Sequence, residues 1–361
     1  MSNPVNSYSK ERIQGLDGLR GVSIILVLFG HGWYSLDFFS FLTPFQFFLS
    51  NASQGVLIFF VISGFLITQL LEQEKNNFKK VDLSGFYLRR FFRIIPALLC
   101  YLFAISILGF FKIINTSFYD LLTGLFFFQN YKHIFNFPTN DDYYYVGQLW
   151  TLSIEEQFYL FWPFLFVFMG RKVLIWLSLS VILFSPFIRI LTYYLVPQWR
   201  PYIPIMAHTY FDPIMFGCLA ALVKDFPLVT RFIFSKISPL GVLFSITFIF
   251  LIQPILVRDF GGPFNLTIGV FISSLLVSFI LVYCYFRPDS ILVKTLCFKP
   301  LVFVGIISYS LYLWNPLFLI SAGSYIWQKF PYNFLLTFIF GIVSFFAVEK
   351  KFINLRKKLF Y

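Results

Sequence analysis

Apolar stretches of 18 or more residues recur along the whole chain, each long enough to cross a hydrocarbon layer about 30 Å thick. No other feature constrains the fold so strongly. Backbone groups in lipid find no water, so each crossing segment must satisfy its own N–H and C=O groups, which a helix does. Composition agrees. Of 361 residues, 58% are apolar, 54 are Phe and only 12% are charged, whereas a soluble domain carries roughly twice that charged fraction. The expected fold is an all-α integral membrane protein.

Spans are read at roughly 17–37, 52–72, 87–111, 151–169, 172–195, 206–224, 236–257, 265–286, 301–323 and 331–349, ten in all. If the N-terminus is placed inside and the loops alternate, 21 Lys and Arg residues fall inside and five outside, with Arg20 and Arg189 left within spans. Cytoplasmic loops carry such an excess, so N-in, C-in is the expected orientation. The same reading accounts for the net charge of +12. No basic domain stands apart from the apolar segments, so nucleic-acid binding is not indicated. Lys10 and Arg12 precede an apolar run as in a signal peptide, but that run holds Arg20 and His31 and lacks a small-x-small cleavage site. Cys100, Cys218, Cys284 and Cys297 are scattered and suggest neither a disulfide framework nor a metal site. The chain reads as one membrane domain over 1–361, with no appended soluble domain. Its longest outside segment, 112–150, holds Asp120, Asp141, Asp142 and Tyr143–Tyr145. The apolar part of that segment, Leu121 to Phe128, is too short to span and lies at the interface or folds back.

Charges inside apolar spans are expensive and mark candidate functional positions. Arg20 and His31 in the first span are eleven residues apart, which returns them to one helix face about 16 Å apart along the axis. The third span opens with Arg89, Arg90 and Arg93. Arg93 lies a turn deeper than the basic anchor and, with Arg20, forms a two-guanidinium site suited to phosphate. The fourth span carries Glu155 and Glu156 on different faces, expected at a depth similar to His31, where one of them orients the imidazole. Asp212 enters from the outer side of the sixth span. The ninth contains Ser308, Tyr309, Ser310, Tyr312, Trp314 and Asn315, polar groups suited either to bonding a substrate or to bonding other helices. Arg189 is expected to snorkel or to pair with an acid, and Glu349 to pair with a nearby Lys or Arg.

These elements, in order, resemble membrane-bound acyltransferase family 3. Arg20 and His31 are similar to its Arg, ten residues, His signature, and Arg90 and Arg93 to its Arg-x-x-Arg element. The stretch Leu149–Tyr159, the segment Asp212–Gly217 and Ser308–Trp314 also fit. One position departs, because Asn315 stands where many members have His. The resemblance implies transfer of an acyl group, most simply acetyl, from cytoplasmic acyl-CoA to a hydroxyl of an extracytoplasmic glycan such as lipopolysaccharide O-antigen or exopolysaccharide. It implies His31, Glu155 and Glu156 as catalytic, and Arg20, Arg90 and Arg93 as binding the acyl-CoA donor. Asp17, Asp212, Tyr309, Trp314 and Asn315 are the candidate substrate contacts. The implied setting is a bacterial inner membrane, with lipid around the protein, a free or lipid-linked glycan as partner and no metal. The alternative is a proton-coupled transporter or flippase of a lipid-linked glycan, in which His31 and the acids relay protons.

Overall fold

The computed structural model describes residues 13, 15–36, 51–135, 137, 144–320 and 325–360. Lys10, Arg12, Asp141, Asp142 and Tyr143, used above for orientation and for the outer segment, lie outside the described residues. Among the described residues the chain is helical and contains no strand. The main helices are α1 (Leu16–Gly32), α2 (Ala52–Phe78), α3 (Leu83–Phe110), α4 (Phe118–Leu125), α5 (Leu149–Phe168), α6 (Arg171–Leu195), α7 (Asp212–Val223), α8 (Pro227–Ile233), α9 (Ser238–Phe286), α10 (Lys299–Ile306), α11 (Ser308–Phe318) and α12 (Tyr332–Phe360).

Five of these helices are long and apolar enough to cross a membrane, or up to seven if each of two bent pairs is one span. The bent pairs are α7 with α8, at 97°, and α10 with α11, at 74°. Among the described residues each expected span lies mainly on helix, including the two expected over 236–286. Those two are the arms of α9, which breaks at Gly261 (φ 68°, ψ −154°), a backbone region open to glycine. The outer surface carries large apolar side chains, among them Phe103, Phe110, Phe168 and Trp176, as a lipid-facing wall requires.

α2 is the central helix. Within its most apolar 18 residues, 78% are buried, against 28–33% for the other long helices. Its crossing with α7 is a backbone-on-backbone contact. A Cβ at Gly64 would run into the carbonyl of Ile214, and one at Gly217 into that of Val61, the small-residue device by which membrane helices approach closely. α1 is fixed in the same way, since Gly18 abuts the Leu296 carbonyl and Gly305 of α10 abuts that of Asp17.

Ion pairs collect one end of the bundle. Near the C-terminal end of α2, Glu72 meets Lys224 (3.0 Å) and Arg171 (3.7 Å), while Glu74 meets Arg89 (3.5 Å). The start of α3, the α5–α6 junction and the end of α7 therefore share this basic end. The segment after α3 folds back, as one of the two sequence expectations had it. A capping box between Ser117 and Asp120 starts α4, and Lys132 forms a buried pair with Asp120. Asn130 and Gln157 exchange amide hydrogen bonds at 3.1 Å, which ties this segment to the side of α5.

Candidate functional site

Three cavities meet around the arginines of α1 and α3. The first opens at the basic end, with about 1920 Å³ of empty space lined by Asp17, Arg20, Arg89, Arg90, Arg93, Glu349 and Arg356 among others. The second, about 710 Å³, continues into the bundle past the same Arg20, Arg90 and Arg93. It is walled by Val56, Phe59, Ser63, Thr151, Glu155, Tyr159, Tyr309 and Tyr312. The third is a groove in the flank, about 1340 Å³, lined by Glu156, Gln157, Tyr131, His208 and Phe126–Phe128. It shares Arg90 and Tyr159 with the inner chamber.

The arginines are held in different ways. Arg20 lies 3.9 Å from Asp17 one turn earlier on α1. Arg90 stacks on Tyr159, its guanidinium carbon 4.2 Å from the ring centre, a contact suited to a planar cation. Arg93 reaches Glu349 at 4.0 Å, and the carboxylate of Glu349 also accepts from Ser310 at 3.0 Å. The Lys or Arg partner expected for Glu349 is thus Arg93. Three guanidiniums around one passage make it attractive to a polyanion such as a nucleotide phosphate chain.

Glu155 belongs to this group. It accepts a hydrogen bond from Ser63 at 2.7 Å and faces the chamber, whereas Glu156 faces the flank groove. The two carboxylates diverge as expected for adjacent helical positions. Their depth corrects the expectation that one of them shares the level of His31. Gly30, beside His31, packs against Ala52 of α2, while Glu155 bonds Ser63, eleven residues further along the same helix. Eleven residues is about 16 Å of helix, so Glu155 sits at the level of Arg20 and well below His31.

His31 instead meets Asn315, with Nδ1 2.7 Å from Oδ1. Asn315 itself is fully buried. Below this pair, Tyr312 hydroxyl donates to the Gln148 carbonyl and lies 2.7 Å from Thr151 Oγ1. These contacts join α11 to α5 at the top of the chamber.

The remaining sequence candidates separate. Tyr309 lines the chamber and donates to the Ile94 carbonyl at 2.9 Å. Asp17 lies in the open cavity beside Arg20. Trp314 packs edge-on to Tyr101, with ring centres 5.4 Å apart. Asp212 lines none of these three cavities, although its neighbour Phe211 lines the flank groove. Both its oxygens are held by Arg189 at 2.8 Å, and Arg189 also donates to the Thr209 carbonyl at 2.7 Å. That pairing fulfils the expectation of an acid partner for Arg189. Ser63, Thr151 and Tyr159 were not singled out from sequence. The signal was present in part: 151, 155 and 159 are spaced by four and fall on one face of α5 with Glu155. No group of three or more His, Cys, Asp or Glu suited to a metal occurs among the described residues.

A phosphate-attracting passage whose Arg20 shares a helix with the half-buried His31 invites comparison with known transferases, and residues 13–349 match the acyltransferase domain family called acyltransferase 3. The chain belongs to that family. It is 29% identical over 384 aligned positions to the O-acetyltransferase OatA of Staphylococcus aureus, covering 98% of this chain and 58% of the relative. It is 30% identical over 336 positions to the peptidoglycan O-acetyltransferase OatA of Listeria monocytogenes, covering 85% of this chain and 49% of the relative. The chain therefore spans between half and three-fifths of the length of these curated relatives. No solved structure matches.

Proposed function

We propose that the protein is an O-acetyltransferase that crosses the membrane ten times with both termini in the cytoplasm. It takes an acetyl group from cytoplasmic acetyl-CoA and places it on a hydroxyl of a cell-envelope glycan. The carrying observation is the order of the site along α1: arginines at the basic end, a partly open chamber above them, and His31 at the far end of the helix. The names of the relatives support an O-acetyl product, and the Listeria relative makes peptidoglycan the first acceptor to test. Lipopolysaccharide and exopolysaccharide are the next.

On this reading Arg20, Arg90 and Arg93 bind the diphosphate and phosphate groups of the donor by charge-assisted hydrogen bonds. The pantetheine arm runs through the chamber between Ser63, Tyr159 and Tyr312, and the thioester arrives below His31. The acceptor hydroxyl comes from the opposite side. His31 takes its proton as the oxygen attacks the thioester carbonyl. The new C–O ester bond forms, the C–S bond breaks, and the leaving thiolate recovers the proton as the thiol of coenzyme A. Transfer is direct, with donor and acceptor bound together. Glu155 lies too deep to touch the reacting carbonyl in this arrangement. It orders Ser63 and the guanidiniums around the donor arm.

The test is the ester-linked acetyl content of purified envelope glycan from cells carrying the wild-type gene, His31→Ala or no gene. Acetyl esters formed only with the wild-type gene, at equal protein abundance, are expected. Equal acetylation in all three strains would remove the proposal.

A further inference from the structure

We propose that Asn315 is a positioning residue that locks the imidazole of His31 in its Nδ1–H tautomer, leaving Nε2 as the nitrogen that accepts the proton. The inference rests on the reading of His31 as general base, and its argument starts from a proline. Pro316 lies inside α11 and has no N–H, so the carbonyl of Tyr312, four residues earlier, loses its helical donor. The side chain of Asn315 fills that vacancy. Its Nδ2 donates to the Tyr312 carbonyl at 2.7 Å, with a longer contact of 3.4 Å to the Leu311 carbonyl.

These two carbonyls decide which way the amide faces. Flipping it would set Oδ1 against two acceptors, which no hydrogen bond can bridge, so Nδ2 points at the helix backbone and Oδ1 points at His31. Oδ1 is purely an acceptor. The His31 Nδ1 lying 2.7 Å away must therefore carry the proton, and in the neutral ring Nε2 is then the lone-pair nitrogen. The chain of cause runs from Pro316, through the Tyr312 carbonyl and the Asn315 amide, to a single imidazole tautomer. The Tyr312 backbone is itself tethered, because its hydroxyl holds the Gln148 carbonyl of the neighbouring segment at 2.7 Å. Asn315 is fully buried, so water does not compete for either end of its amide.

Asn differs from a carboxylate in one respect that matters for rate. It orients the ring without adding negative charge, so the imidazolium formed during transfer gains a hydrogen bond but no ion pair. His31 is therefore kept in the correct tautomer while its proton remains easy to return to the leaving thiolate.

The test has a spectroscopic arm and a kinetic arm, both on the full chain in lipid bilayers. The protein contains three histidines, so nitrogen-15-labelled histidine gives three ring systems, and His31 is assigned by its loss in His31→Gln. The neutral ring is expected as Nδ1–H in the wild type and mainly as Nε2–H in Asn315→Leu. In acetyl transfer from acetyl-CoA, Asn315→Leu is expected to lower kcat about 10- to 100-fold, as loss of a residue that orients a functional histidine does in metal sites, with the KM for acetyl-CoA unchanged. Asn315→Asp keeps an acceptor for Nδ1–H but sets its second oxygen against the Tyr312 and Leu311 carbonyls, so it should retain the Nδ1–H tautomer with a rate between those of the wild type and the Leu variant. Its added charge favours the imidazolium, so the acidic limb of its kcat–pH profile moves to higher pH. An Nε2–H ring in the wild type, or a Leu variant with unaltered kcat, overturns the proposal. A wild-type protein that transfers no acetyl group would instead count against the enzymatic reading, and the tautomer spectrum would still decide the role of Asn315.

Discussion

Removing the charge of Arg189 gives the sharpest test of how this bundle is held together. Arg189 and Asp212 are 1% and 0% exposed, and the guanidinium grips both carboxylate oxygens at 2.8 Å. A third bond runs from Arg189 to the Thr209 carbonyl at 2.7 Å. Arg189→Met keeps an unbranched apolar stem but strands the carboxylate and that carbonyl. Breaking one side of a buried pair costs about 3–5 kcal/mol, which corresponds to a fall in apparent melting temperature on the order of 10 °C. Asp212→Leu alone strands the guanidinium and should cost a similar amount. Combining Arg189→Met with Asp212→Leu leaves no charge behind, so the double variant should recover most of the loss, and double-mutant analysis should return strong coupling. The assay is thermal unfolding in a single detergent, followed by intrinsic Trp fluorescence, with acetyl transfer measured on the folded fraction. If Asp212 binds substrate, Asp212→Leu would lose activity at unchanged stability and the second substitution would rescue nothing; that pattern would refute the structural account.

Three further outcomes follow from the cavity. Arg20→Ala and Arg93→Ala should each raise the KM for acetyl-CoA by about 10- to 100-fold, the loss of one charge-assisted contact. Arg20→Lys should recover little of this, because a point charge does not reproduce the planar fork. Glu155→Gln should impair transfer more than Glu156→Gln, since Glu155 faces the inner chamber and Glu156 the flank groove; equal effects would contradict the division of the two carboxylates. Gly305→Ala should lower both folding yield and activity, because its methyl group has no room against the Asp17 carbonyl and must push α1 aside. Gly262→Ala, where a Cβ meets nothing within 4 Å, is the matched control.

The sequence disclosed those parts of the site that lie on a single helix. Arg20 and His31 share α1, so the helical repeat alone gives their common face and their separation. Arg90 and Arg93 were likewise placed by their own span. Relations between helices were harder to read. Arg189 called for an acid, but nothing local distinguished Asp212 from other carboxylates as the one that meets it. The expected level of Glu155 is too shallow because it places the start of a helix entering from the outer side at the membrane surface. α5 begins inside the protein, where Val146 and Leu149 are 1% and 0% exposed. Every residue along α5 is displaced inward by that start, and Glu155 arrives among the arginines. The role of Asn315 was hidden for a related reason. Pro316 marks a break in the backbone ladder, but only the fold reveals that the group filling it also touches a histidine 284 positions away.

The glycine contacts that clamp α1 also turn it into a ruler. With Gly18 against the Leu296 carbonyl and Gly305 against that of Asp17, the helix has no slack to slide, and the interval from Arg20 to His31 stays at about 16 Å. A donor anchored by its phosphates at one end must carry its reactive carbonyl on an arm of that length. On the proposed reading, acetyl phosphate, whose acyl carbon is bonded directly to the phosphate oxygen, would be stranded at the arginines, and the protein would measure its donor by reach before any chemistry begins.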